Sequence, residues 1–227
     1  MTSLLQRGAE EPRTLSVLLV GEGEHLTQRS AMLMSNPHLA DVQVRALAIP
    51  SIPASLRPDE ARASIAPAET SAHGRAARPL AVWRYVWVMW RALQARETTI
   101  IHCSSIRMTY VALCARWLLA ISHPRLTAPA IVTELARSKI PEKAPHATQL
   151  LRPVSDAIVV ESSADRDALM RLGIRGAHIH LAPQPRPGEP EEVSAWLKIW
   201  AVQVRALYMA AVTVRRQREL PYLGLAG

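Results

Sequence analysis

Short apolar runs alternate with stretches of helical period along most of this chain, and that alternation predicts its architecture. Ser16–Val20 (SVLLV) is a continuous apolar run, as in a strand buried on both faces. It leads into Gly21-Glu22-Gly23 and a helical stretch over about Glu24–Met34. Asp41–Ile49 alternates as a second strand. Residues 50–79, rich in Pro, Ala, Ser and Arg, show no period and read as a long surface loop. Leu80–Arg96 then predicts a helix, Thr98–Cys103 a strand, Arg107–Ile121 a helix and Pro129–Thr133 a strand. Ile140–Pro145 is a proline-bounded loop before a short helix near His146–Arg152. Asp156–Val160 is a strand, and Ser163–Leu172 a helix with Ser163 as its cap and Gly173 as its stop. His178–Leu181 closes the series. Residues 183–190 form a proline-rich linker, and Glu191–Glu219 a long helix opened by acids and closed by Arg215, Arg216 and Arg218, in register with the helix dipole.

Apolar strands separated by helices imply a Rossmann-like α/β domain over 15–187, a parallel sheet with helices on both faces. Residues 1–14 read as a disordered lead-in, and 188–227 as linker plus a helix packing on the domain or on a partner. In such sheets ligands sit beyond the carboxyl ends of the strands, which directs attention to the loops there. Gly21, Glu22 and Gly23 form a turn that brings backbone N–H groups toward a phosphate, although Glu22 and Glu24 oppose an anion and a plain tight turn fits equally. The third glycine of a dinucleotide fingerprint is missing. His102 at a strand end has the chemistry of a general base, against a role as a satisfied semi-buried histidine. Glu134 lies one residue past the next strand, as an acceptor contact or an acid paired with Arg137 or Lys139. Ser104, Ser105, Glu161 and Ser162 share the strand-end location and are candidate substrate contacts.

The helix predicted over Leu80–Arg96 places Trp83, Trp87 and Trp90 on one stripe, with Arg84 and Arg91 on the other side. It reads either as an interfacial helix against anionic lipid or as a ridge packed on the sheet. Apolar positions on more than one face favour the packed ridge. The chain holds six Trp and no Phe, so the tryptophans are expected to share in filling the core with Leu, Val, Ile and Ala.

A net charge of +8 favours anionic partners. The arginines are spread along the chain rather than gathered into one stripe, which argues against nucleic acid. Cys103 and Cys114 form no CxxC pair and read as reduced core thiols in a cytoplasmic protein. His178 and His180 would alternate on one strand face, but no neighbouring carboxylate or thiol completes a ligand set, so no metal and no cofactor is expected. The first residues lack the apolar segment of a signal peptide, and no apolar run reads as membrane-spanning. Contact with an anionic membrane from its inner face is the remaining membrane expectation.

The ordered set TTIIHCSS, APAIVTEL, LLRPVSDAIVVESSADRDALMRLGI and AHIHLAPQP resembles the N-terminal, acceptor-side domain of family 4 glycosyltransferases of the GT-B fold. Ile101-His102-Cys103-Ser104 stands where that family ends a strand in His-x-His. Val132-Thr133-Glu134 stands for its Val-Thr-His, and Pro183-Gln184-Pro185 for its Pro-Asn-Gly turn. The resemblance implies sugar transfer from a nucleotide-sugar donor to a lipid-linked or small acceptor, with His102 and Glu134 as catalytic candidates. The family's donor half, with its Glu-x7-Glu pair, has no counterpart in the residues after Pro190. The resemblance therefore implies a donor-binding partner chain, with a homodimer as a further arrangement, and the final helix as the one that crosses back in two-domain members. Cys103, Glu134 and Gln184 depart from the family pattern, which keeps a non-catalytic binding or scaffold subunit as the alternative.

Overall fold

Six parallel strands form one sheet in the order β2-β1-β3-β4-β5-β6. They are β1 (Leu15–Gly21), β2 (Val42–Ala48), β3 (Ile100–Cys103), β4 (Ala130–Leu135), β5 (Ala157–Val160) and β6 (Ile179–Leu181). The computed structural model describes residues 14–21, 23–48, 73–95, 97–124, 126–135, 151–181 and 190–223. The strand order reverses direction between β1 and β3, which makes the carboxyl ends of those two strands the topological switch point.

The helices that flank the sheet among the described residues include α1 (Gly23–Ser35), α2 (His73–Gln94), α3 (Ile106–Ser122), α4 (Ser163–Arg171) and α5 (Pro190–Leu223). Because side chains alternate along a strand, Val17, Leu19, Ile100, Val132 and Val159 face α1 and α5. Leu18, Val20, Ile101, Cys103 and Ile131 face α2 and α3, and Ile158 and Val160 pack with Leu169 of α4. Both faces of every central strand are thus covered, which explains why the strands read as unbroken apolar runs.

The last helix belongs to this core. Trp200 and Tyr208 are fully buried, and Val204, Leu207 and Ala211 join them against the sheet. Burial of each large side chain contributes about 2 kcal/mol. The stretch Ser194–Glu219 is, by length and a mean hydropathy of 1.3, apolar enough to cross a membrane. That differs from the sequence expectation of no such stretch. In this fold the helix packs its apolar ridge on β3, β4 and β5.

Several boundaries and faces differ from expectation. Helix α2 begins at His73, within the loop expected over 50–79, whose earlier residues lie outside those described. Strand β4 runs on to Leu135, so Glu134 sits inside the strand. Ser162, with extended backbone, caps α4 in place of Ser163. His178 closes a 3-10 turn (Gly176–His178), so it and His180 do not share a strand face. Cys114 is exposed and only Cys103 is a core thiol. Of the tryptophans, Trp200 alone is buried; Trp83 and Trp87 of the expected ridge are 60% and 50% exposed, because Val86, Met89 and Leu93 take the inner face of α2. The segments 1–13, 136–150 and 182–189, with their expected lead-in, loop and linker, lie outside the described residues.

Candidate functional site

The carboxyl ends of β3 and β4 carry a charged cluster on the face covered by α1 and α5. His102 lies two residues after Ile100, and Glu134 two after Val132, so strand alternation turns both toward that face. His102 is 4% exposed. Its Nδ1 lies 2.9 Å from the Tyr208 hydroxyl, supplied by α5. Burial pushes the Tyr208 phenol well above its ordinary range, with the Arg29 charge opposing the shift and that of Glu134 adding to it. Either group can donate in this contact, according to the imidazole tautomer, and the ring's other nitrogen, Nε2, is turned toward Glu134. That nitrogen lies 3.3 Å from Glu134 Oε2, outside hydrogen-bond geometry.

Glu134 is the open end of this cluster. Its side chain is 20% exposed, and its Oε1 accepts a 2.6 Å hydrogen bond from the Arg29 guanidinium of α1. Arg29 in turn lies 5.7 Å from the ring centroid of Trp200, a cation–π contact that fixes it from the α5 side. Among the described residues Glu134 pairs with Arg29; Arg137 and Lys139, the partners weighed from sequence, lie outside the described residues. Sequence reasoning singled out His102 and Glu134 but missed Arg29 and Tyr208, which lie 105 and 106 residues from their partners. No local motif could have joined them.

The other candidates take their places around the switch point. A Cβ on Gly21 would lie 2.6 Å from Ser104 Oγ and 3.1 Å from Ser104 Cβ, so glycine is required there by the close approach of the two strand ends. Its φ is not positive, so the requirement is packing rather than conformation. Ser104 donates its N–H to the Val20 carbonyl, tying the turn after β3 to β1. Ser105 is the N-cap of α3, its Oγ accepting from the Met108 N–H. Ser162 caps α4 in the same way and donates its hydroxyl to Asp165. Glu161, half-buried, precedes that cap on a different part of the sheet edge. Gly23 is the first residue of α1, and Glu22 lies outside the described residues. The structure thus brings together His102 and Glu134, with Gly21 one strand away and Ser104 two residues on from His102, and has Ser105 and Ser162 capping helices.

A recess of about 310 Å³ lies at the opposite end of the sheet, bounded by Thr98, Leu126, Pro129 and Arg215 among others. It is remote from the charged cluster, and the location of the site rests on the strand-end geometry. Among the described residues no group of His, Cys, Asp and Glu is placed to hold a metal ion.

A parallel sheet with this order, helices on both faces and a long last helix crossing back defines a Rossmann-like half-domain of the GT-B type. Among solved structures the chain is similar to the apo form of the lipopolysaccharide outer core galactosyltransferase WaaB, at 13% identity and a TM-score of 0.50, covering 78% of this chain and 47% of that one. It is also similar to UDP-N-acetylglucosamine 2-epimerase (11% identity, TM-score 0.46, 74% of this chain and 48% of that one). Anabaena HepE in complex with UDP and glucose is a third (11%, 0.44, 83% and 51%). The chain spans about half the length of the solved structures it matches. No protein-family model and no curated protein matches it. The likeness to WaaB shows the fold.

Proposed function

We propose that this chain is the acceptor-side half of a glycosyltransferase and works with a donor-binding half supplied by another chain. The observation that carries the reading is the Arg29–Glu134–His102–Tyr208 cluster at the carboxyl ends of β3 and β4, beside the switch point. In the proposed reaction an acceptor hydroxyl binds against Glu134. As its oxygen attacks the anomeric carbon, Glu134 takes the proton and the nucleoside diphosphate leaves with the bonding pair. His102, almost fully covered, orients Glu134 from behind, and Arg29 holds the other carboxylate oxygen. Base duty thus falls to Glu134 rather than to His102, the first choice from sequence. Lipid-linked and small hydroxylic acceptors both suit this chemistry.

A second reading is favoured by one feature of the same cluster: Tyr208 holds His102 Nδ1 and Arg29 holds Glu134 at 2.6 Å, an arrangement complete without substrate. On that reading the chain is a non-catalytic binding or scaffold subunit. Recovery of the tagged chain from its native cells separates the two. The catalytic reading expects a copurifying donor-domain protein and transfer of labelled sugar from UDP-glucose or UDP-galactose to a cell-derived acceptor. A stable partner assembly with no transfer from any nucleotide sugar would leave the scaffold reading standing and end the first.

A further inference from the structure

Among the described residues, the exposed tryptophans gather on the outer surface of α2 and α3. Three tryptophans stand on it: Trp83 and Trp87 at 60% and 50% exposure, and Trp117 at 68%. Ile121, one turn on from Trp117, is 62% exposed. The two helices lie side by side on the same face of the sheet, joined at their ends by a 3.2 Å hydrogen bond from Trp90 Nε1 to Ser122 Oγ. Their inner ridges are already spent on the sheet, so packing among the described residues leaves the outer rings exposed. Trp87 and Trp90 are 4.6 Å apart between centroids, and Arg91 lies over the Trp87 ring at 5.6 Å. With Gln94 these side chains line an open recess of about 370 Å³.

Charge decides what could cover this face. Neither α2 nor α3 contains a single Asp or Glu, whereas α2 carries four arginines and α3 two. One of the latter, Arg116, is spent inside on Asp156, and Arg84 and Arg91 stand at the surface. A second copy of the same face would oppose arginine to arginine, which disfavours self-association.

We infer that the α2–α3 face docks on an anionic lipid bilayer. Exposed indole rings with a polar N–H edge sit at headgroup depth, and arginines among them meet lipid phosphates. The inference is independent of whether the strand-end cluster transfers sugar. The helix would lie in the plane of the interface, with the sheet and α5 on the water side.

The test uses the purified full chain with vesicles of phosphatidylcholine, alone or mixed with phosphatidylglycerol. Cosedimentation with the mixed vesicles is expected, weakened by salt, with a blue shift of tryptophan emission and quenching by brominated lipid. Replacing Trp83 and Trp87 by Ser should lower the partition coefficient by at least about tenfold. Arg84→Glu with Arg91→Glu should lower it by about 25-fold, roughly fivefold for each arginine removed. Ile199→Ser, on the exposed side of α5, should leave it unchanged. Brominated-lipid quenching needs no variant, so loss of fold in one does not protect the inference. No quenching by the mixed vesicles, equal binding to pure phosphatidylcholine, or parental binding by both double variants would overturn it. So would a concentration-dependent dimer that the Trp substitutions dissolve.

Discussion

Asp156→Asn should be among the most destabilising single changes available to this fold. The Asp156 side chain is fully buried and accepts from three donors. Oδ2 takes Arg116 Nη1 at 3.1 Å and the Ile131 N–H at 2.9 Å, and Oδ1 takes Arg218 Nη1 at 3.0 Å. Arg116 belongs to α3 and Arg218 to α5, so one carboxylate joins the helices of opposite faces around the amino end of β5. The asparagine amide is nearly isosteric but neutral, and its NH₂ places donors against a donor. Arg116, with its side chain 8% exposed, would keep a buried charge with no opposite charge beside it. Removing one partner of a buried pair costs about 3–5 kcal/mol, a large part of the roughly 5–15 kcal/mol that holds a domain together. Urea unfolding followed by tryptophan emission measures it, with an unchanged slope showing that the unfolded state is comparable. Adding Arg116→Met to Asp156→Asn should recover part of the loss, because the uncompensated charge goes with it. A loss below about 1 kcal/mol for Asp156→Asn, where even a surface pair reaches that figure, would refute the reasoning.

Gly21→Ala should cost about 1–3 kcal/mol through overpacking against Ser104, and Ser104→Gly in the same chain should restore most of it, as thermal unfolding of the pair would show. With a thiol reagent at mildly alkaline pH, exposed Cys114 should react quickly, while Cys103, its thiol pushed up to about 12 by burial, should react only on unfolding. Since the folded Cys103 holds its proton to higher pH than the unfolded chain, stability should fall as pH rises from about 9, and Cys103→Ala should flatten that fall. His180 works in the other direction: burial, then the His178 and Arg166 charges, lowers its affinity for a proton. Its contribution should be present above the ordinary histidine range and fade as pH falls below it, a loss that His180→Gln should remove from the acid limb of the stability profile.

The sheet was readable because each central strand is buried on both sides and so appears as an apolar run, Ser16–Val20 and Asp156–Val160 being the plainest. The end of β4 was not, since Glu134 looks like a loop residue until Arg29 is seen to neutralise it inside the strand. Periodicity gave the α2 stripe but could not say which side it faces. Val86, Met89 and Leu93 have helical spacing of their own, and they won the inner position. Strand-end logic singled out His102 and Glu134, which the fold places side by side, while Arg29 and Tyr208 are joined to them only by tertiary packing. The serines at 105 and 162 met the same positional rule as His102 and Glu134, and each begins a helix, where its hydroxyl accepts from a free backbone N–H.

In the proposed reaction Glu134 is the group that takes the acceptor proton. The rate of sugar transfer by the copurified assembly, with Glu134→Gln set against the parent chain, tests that claim most directly. A fall of about 100-fold or more in kcat is expected, with thermal stability and partner recovery maintained. An unchanged kcat would contradict the claim and leave the cluster as packing.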